Sequence, residues 1–360
     1  MKTKRFLSTI TLILVILLVT SVAVNAQEPL IFENGFLIEE TQERMGKPVI
    51  LDMDFGSDVD DACALRLAGT MHLRGNIELK AVTSSVLGEG DLNLSAINGL
   101  LESQQLKGIP IGKSTVPIYD TSPYWETLAS YSTTSFDVYD SVKLWRRIIS
   151  ESDRPVDICT TGYLGNLAEF CKSQPDEISD KTGLELLYQN VGNVYITGGT
   201  WTTGFDNNFW FYKEARDAFS WIVENVDKQL IFITNDVGGP ILCGGDAIQS
   251  NPEDPLSKAL LSWGADNGRA AWDPMAMYIC AIGNSEYQLN QSALIITKMD
   301  IQFNRETGEN LFIENEQGKH MRVYRASEHK EYYRQILDEL CILKDIYETP
   351  EEASRFMREG

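Results

Sequence analysis

Residues 48–64, PVILDMDFGSDVDDACA, constrain this chain more than any other stretch. An apolar run, Val49-Ile50-Leu51, leads into Asp52, Asp54, Asp58, Asp60 and Asp61. Bounded by Pro48 and a Gly-Ser loop, the run reads as a buried strand. Asp60 and Asp61 then open ACALRLAGTMHL, an amphipathic helix pattern with acidic residues in its first turn. The carboxylates therefore sit where a strand ends and a helix begins, the edge at which open α/β sheets bind ligands. Two carboxylates about 4 Å apart repel by roughly 4 kcal/mol at an effective dielectric near 20. Such a cluster requires a cation, raised pKa values, or wide splaying into water. Oxygen donors favour a hard cation, and calcium suits a flexible site of many oxygens better than magnesium. The plain alternative is a solvated acidic loop, in a chain of formal net charge −21.

Two other motifs can be tested against the letters. An EF-hand loop needs Gly at its sixth position and Glu at its twelfth. Counted from Asp52, those positions hold Ser57 and Cys63, which excludes it. A strand-end DxD also resembles the haloacid-dehalogenase phosphatases, with Asp52 as nucleophile and Asp54 as acid. Gly56 stands where those carry Thr or Val, and no matching second acidic motif follows, so that reading is a minor alternative.

DMDFGSDVDDACAL resembles the signature of the inosine-uridine nucleoside hydrolase family, DxDxGxDDAxA. The loop is two residues longer here, as in an exported bacterial subgroup reading DxDxGxDxDDAxAL. The resemblance implies one bound calcium ion and hydrolysis of the N-glycosidic bond of ribonucleosides.

Beyond the acidic loop, strand and helix patterns alternate. Strands are predicted at Val49–Asp54, Leu79–Ser84, Val156–Thr160, Asn193–Thr197 and Gln229–Thr234. Helices are predicted at 60–73, 92–103, 138–151, 164–173, 184–189, 213–224, 255–263 and 272–282. That rhythm implies an α/β fold, a mostly parallel sheet with helices on both faces in a Rossmann-like open arrangement. The tail reads as a small β excursion, 293–297 and 321–326, and a closing helix, 327–344. The expected organisation is a signal peptide at 1–26, a leader at 27–46, one hydrolase-like domain at 47–345 and a tail at 346–360.

Three more segments carry the resemblance. GYLGNLA is similar to the family's GPLTNLA, whose Thr binds calcium through its carbonyl; Gly165 takes that position. TWTTGFDNNFWFYKEA places Asp206 on a family Glu and Asn208 on a family Asn, both of which hold ribose hydroxyls. In WDPMAM, Asp273 takes the position of the last calcium ligand, at a helix start suited to an anion–metal site. There the family carries a His that helps protonate the leaving base, and this chain has Trp272. The resemblance thus implies Asp54, Asp61, Asp273 and the Gly165 carbonyl as calcium ligands. Asp54 is the implied base toward a water on the calcium, Asp60, Asp206 and Asn208 hold the ribose, and Trp272 stacks on the base. Asp58, from the longer loop, has no role in that scheme. The family's ribose-binding Asn after the second strand is displaced; Asn93 is nearby, and Glu89 and Asp91 offer alternative acids.

Residues 1–26 have the charged start (Lys2, Lys4, Arg5), long apolar core and Val24-Asn25-Ala26 cleavage site of a secretory signal peptide. Export to the periplasm or the medium is expected, with no membrane span after cleavage. The acidic balance argues against nucleic acid as a partner, since phosphate binding needs Lys and Arg stripes. A nucleoside or glycoside is the expected partner, and a homo-oligomer is compatible with the sequence. The six cysteines (63, 159, 171, 243, 280, 341) are dispersed without CxxC or zinc-finger spacing, and read as buried thiols with room for one bridge. A protein that kept the metal but lost the leaving-group acid would be a non-catalytic calcium-dependent nucleoside or sugar binder.

Overall fold

The computed structural model describes residues 31–33, 36–38, 46–202, 204–283, 294–325 and 329–342. The expected signal peptide, most of the leader and the tail from 346 lie outside these residues. The chain divides into two units, Met1–Thr41 and Gln42–Gly360. In the first, Ile31–Glu33 pairs antiparallel with Phe36–Ile38. Among the described residues, no helix is long and apolar enough to cross a membrane.

The second unit is built on one 11-stranded sheet. In chain order its strands are β1 (Lys47–Met53), β2 (Ile77–Ser84), β3 (Ile111–Lys113), β4 (Val138–Asp140), β5 (Val156–Thr160) and β6 (Val191–Thr197). Then come β7 (Gly204–Phe205), β8 (Ile231–Ile233), β9 (Leu294–Phe303), β10 (Glu309–Glu314) and β11 (His320–Arg325). Their spatial order is β4-β3-β2-β1-β5-β6-β8-β11-β9-β10-β7. Pairing is parallel from β4 through β11 and antiparallel beyond it. The chain winds outward from β1 in one direction, then returns to place β5 on its other side. That reversal makes the β1/β5 junction the topological switch point, outside which α/β sheets bind ligands.

Alternation along the strands divides the core. Ile50, Ile158 and Ile196 pack with Trp145, Leu167, Leu186 and Phe219 on one face. Val49, Leu51, Cys159 and Tyr195, offset by one residue, point to the other. The helices that position the site are α1 (Asp60–Leu73), α2 (Gly165–Lys172), α3 (Trp272–Ile282) and α4 (Lys330–Cys341).

Several expectations are corrected. The stretch predicted as one helix from 138 begins as edge strand β4, and Asp140 then caps the helix Ser141–Glu151 by accepting from the Lys143 N–H at 2.9 Å. The C-terminal strands form no separate excursion: β11 lies parallel to β8 and extends the main sheet. Helix α1 has no solvent face, because α3 and α4 cover it and every residue from Asp60 to Met71 is buried. Arg66 of this helix is fully buried and donates to Asp254 at 2.8 and 3.2 Å and to the Cys341 carbonyl at 3.2 Å.

Candidate active site

A cavity of about 480 Å³ opens at the switch point. The β1 end supplies Asp54, Ser57, Asp58, Asp60 and Asp61; the β5 end supplies Thr161 and Tyr163; Thr197 and Asn235 follow β6 and β8. Phe205, Asp206, Asn208, Phe211 and Tyr212 come from one segment that begins at the end of β7, and Arg269, Trp272 and Asp273 from the stretch that leads into α3.

Two glycines allow the tight path of the acidic loop. Gly56, at φ +136°, has the Trp125 indole so close that a Cβ would lie 2.2 Å from its Cζ2. Trp125 Nε1 donates to the Phe55 carbonyl at 3.0 Å, and the Tyr124 hydroxyl donates to the Asp58 carbonyl at 2.8 Å, so both aromatics hold the loop from behind. Gly162, just past β5, lets the chain pass against Asp54: a Cβ there would stand 2.3 Å from the Asp54 nitrogen and 2.5 Å from its Oδ1.

Asp54, Asp61 and Asp273 each offer a carboxylate oxygen, and these oxygens lie within 4.8 Å of one another. All three are buried, and Asp61 Oδ1 has no hydrogen-bond partner. Asp60 is tied to the same cluster by accepting the Asp273 N–H at 3.1 Å. Burial pushes Asp54 up to about 7, with the charges of Asp120 and Asp58 adding to it. Burial and neighbouring carboxylates also raise Asp60, Asp61 and Asp273 well above the usual range. The only cationic side chain among the lining residues, Arg269, is engaged elsewhere. Buried anionic oxygens with one left unpartnered are the donor set of a hard divalent cation, so the residues fit calcium or magnesium.

The remaining predicted residues divide. Asp206 is buried and accepts from the Gly199 N–H at 2.8 Å, the Asn208 N–H at 3.0 Å and Asn235 Nδ2 at 2.7 Å. Asn208 spends its amide nitrogen on the carbonyls of Thr161 and Thr197, at 2.9 and 3.2 Å. Trp272 is on the cavity wall. Gly165 is not a lining residue: it opens α2, and a Cβ there would meet the Val116 side chain at 3.0 Å. Asp52 is fully buried below the site, accepting from Thr83 Oγ1 at 2.6 Å and Asn166 Nδ2 at 2.7 Å. Asn93 is consumed by Ser84 and Val86, each at 3.0 Å. Neither Glu89 nor Asp91 lines the cavity; Glu89 is exposed and Asp91 pairs with Lys113, which removes both as candidate acids.

Residues not singled out from the sequence also face the cavity. Arg269 makes a two-pronged ion pair with Asp58 (Nε to Oδ1 at 2.8 Å, Nη2 to Oδ2 at 2.5 Å) and lies over the Trp272 ring at 5.2 Å. Asp120 accepts from Ser57 Oγ at 2.8 Å, and Ser57 Oγ is 3.4 Å from the Tyr163 hydroxyl. Tyr163 meets Tyr212 edge to face. Asn235 had a usable signal, its place just past a predicted strand; Asp120 and Tyr212 had none.

No family model matches this chain, and no curated protein matches it. Solved structures do match. An inosine-uridine preferring nucleoside hydrolase from Bacillus anthracis aligns at a TM-score of 0.58 and 14% identity, over 81% of this chain and 99% of that one. A plant nucleoside hydrolase aligns at 0.62 and 15%, over 83% and 99%. The type III effector protein XopQ, complexed with adenosine diphosphate ribose, aligns at 0.57 and 11%, over 83% and 94%. At these identities the likeness defines the fold: this is an α/β protein with the nucleoside hydrolase architecture, carrying an acidic cavity at its switch point.

Proposed function

We propose that the protein is a calcium-dependent hydrolase that cleaves the N-glycosidic bond of ribonucleosides to free base and ribose. The observation that carries this reading is the convergence of Asp54, Asp61 and Asp273 at the switch-point cavity. A calcium ion bound by these carboxylates would supply Lewis-acid chemistry and fix sugar hydroxyls. Asp54, at the cavity floor, takes the proton of the water that attacks the anomeric carbon. Positive charge develops on the sugar as the bond to the base stretches, and the surrounding carboxylates stabilise it. Asp60, held by the Asp273 N–H, and Asp206, held by three donors, are oriented toward ribose hydroxyls. Asn208, with its amide nitrogen committed to two carbonyls, offers its oxygen. Trp272, Phe205, Phe211 and Tyr212 form walls of the size and chemistry of a base site. The N-terminal sequence supports export as the setting for this activity.

A reducing-sugar assay over a panel of purine and pyrimidine nucleosides tests the reading. Sugar release in calcium that stops in excess chelator is the expected result. Calcium-dependent binding of nucleosides without release would replace the hydrolase by a binding protein.

A further inference from the structure

Away from the carboxylates, the fold gathers a second group of metal-ligating side chains. Cys63 lies on α1, Cys243 on the short strand Leu242–Cys243, and Cys341 at the end of α4. Their sulfurs all lie within 4.8 Å of one another, with Cys243 and Cys341 3.4 Å apart. All three are fully buried and free of disulfides.

We infer that Cys63, Cys243 and Cys341 form a three-thiolate site for a soft d10 cation, zinc or monovalent copper. Metal–sulfur bonds of about 2.3 Å set three sulfurs roughly 3.8–4.0 Å apart around one ion. That separation falls between the 3.4 Å contact and the 4.8 Å limit of the cluster. A disulfide would join two of the sulfurs and leave the third without a partner. Thiolate donors select zinc and monovalent copper, while the carboxylates at the start of the same helix α1 select hard cations, so the two sites sort metals by donor chemistry.

Neighbouring contacts fix the elements that carry the three cysteines. Arg66, one turn beyond Cys63, donates to the Cys341 carbonyl at 3.2 Å while it pairs with Asp254 at 2.8 Å. The Cys243–Gly244 turn is fixed from α4, because Asp338 Oδ1 accepts the Gly244 N–H at 2.6 Å. Gly244, at φ +89°, also keeps this turn clear, since a Cβ there would lie 3.3 Å from the Cys63 sulfur. On binding, each thiol gives its proton to buffer and no electrons are exchanged. The bound ion would tie α4 to α1, two elements distant in sequence.

The test is a cadmium titration of the reduced full-length protein, read by the ultraviolet thiolate-to-metal charge-transfer band, with zinc as competitor. Carboxylates give no such band, which isolates this site from the cavity. The expected result is saturation at about one equivalent and loss of the band when zinc is added. The band should persist in Cys171→Ala and Asp61→Asn, and its affinity should fall at least about tenfold in Cys63→Ala. Elemental analysis of the unmodified protein after dialysis, expected to give about one zinc or copper per chain, serves if Cys63→Ala does not fold. Absence of the band with six thiols reactive after denaturation would overturn the proposal in favour of packing alone. Two fewer reactive thiols would overturn it in favour of a Cys243–Cys341 disulfide. An unchanged band in Cys63→Ala would move the metal to other sulfurs and also overturn it.

Discussion

Calcium should stabilise this protein far more at pH 8 than at pH 5, for a reason that can be worked from the cavity. At the 4.8 Å limit of the Asp54, Asp61 and Asp273 oxygens, each ionised pair repels by roughly 3.5 kcal/mol at an effective dielectric of 20. Three such pairs sum to roughly 10 kcal/mol, as large as the whole stability of a typical domain. Without a cation the folded protein therefore retains protons there, as the rise of Asp54 to about 7 expresses. The direction of the pH effect follows from that rise. A carboxyl whose folded pKa exceeds its unfolded value favours folding below the unfolded value and loses that advantage as pH climbs through the folded one. For Asp54 alone, from 3.8 to about 7, the loss by pH 8 is of the order of 4 kcal/mol. A divalent cation replaces the protons and removes the penalty. At a hundred times its Kd it adds about 2.7 kcal/mol, a rise in Tm of about 5 °C for a domain of this size. Scanning calorimetry in excess chelator and in millimolar calcium, at pH 5 and pH 8, measures it. Titration calorimetry in buffers of different ionisation enthalpy should also count released protons near pH 7. Equal Tm values in chelator and calcium at pH 8, or a larger calcium effect at pH 5, would refute the reasoning.

Three other outcomes follow from named contacts. Asp54→Asn should lower kcat about a thousandfold or more, roughly 4 kcal/mol, whereas Asp52→Asn should act mainly on stability, because Asp52 accepts only from Thr83, Asn166 and Thr160. Paired turnover and urea denaturation measurements separate the two, and near-normal turnover in Asp54→Asn removes the mechanism. Gly162→Ala, which sets a Cβ 2.3 Å from the Asp54 nitrogen, should weaken calcium binding and activity together; unchanged calcium affinity by titration calorimetry would show that the close approach is not needed. Because an indole carries no titratable proton near neutrality, a nitrophenyl riboside should be cleaved about a hundredfold faster than inosine, and equal turnover would reveal an acid elsewhere on the cavity wall.

What the sequence could disclose follows from the range of the forces involved. Central strands such as β1 and β5 are apolar on both faces, so their letters announce them, and α1 carries its own start signal in Asp60 and Asp61. The strands at and next to the sheet edges, β3, β4, β7 and β10, are only two to six residues long and take their conformation from a neighbour. No local pattern marks them. The burial of α1 from Asp60 to Met71 was likewise illegible, because it depends on α4 arriving from the far end of the chain. Asp54, Asp61 and Asp273 were legible because each sits at an element boundary, where side-chain type and position coincide. A backbone carbonyl ligand has no such signature, since any residue possesses one, and Gly165, expected to supply one, does not line the cavity.

Asp58 and Trp272, far apart along the chain, meet in space. Asp58 belongs to the acidic loop, and Trp272 opens α3. In the fold Asp58 grips Arg269, which lies over the Trp272 ring at 5.2 Å. Asp58 holds the guanidinium fork and neutralises it beside the indole, an arrangement that suits a cation–π contact. Asp58, Arg269 and Trp272 are therefore parts of one arrangement on the cavity wall, an aromatic ring backed by a neutralised cation. The pair joins residues 211 positions apart, beyond the reach of any motif read along the chain.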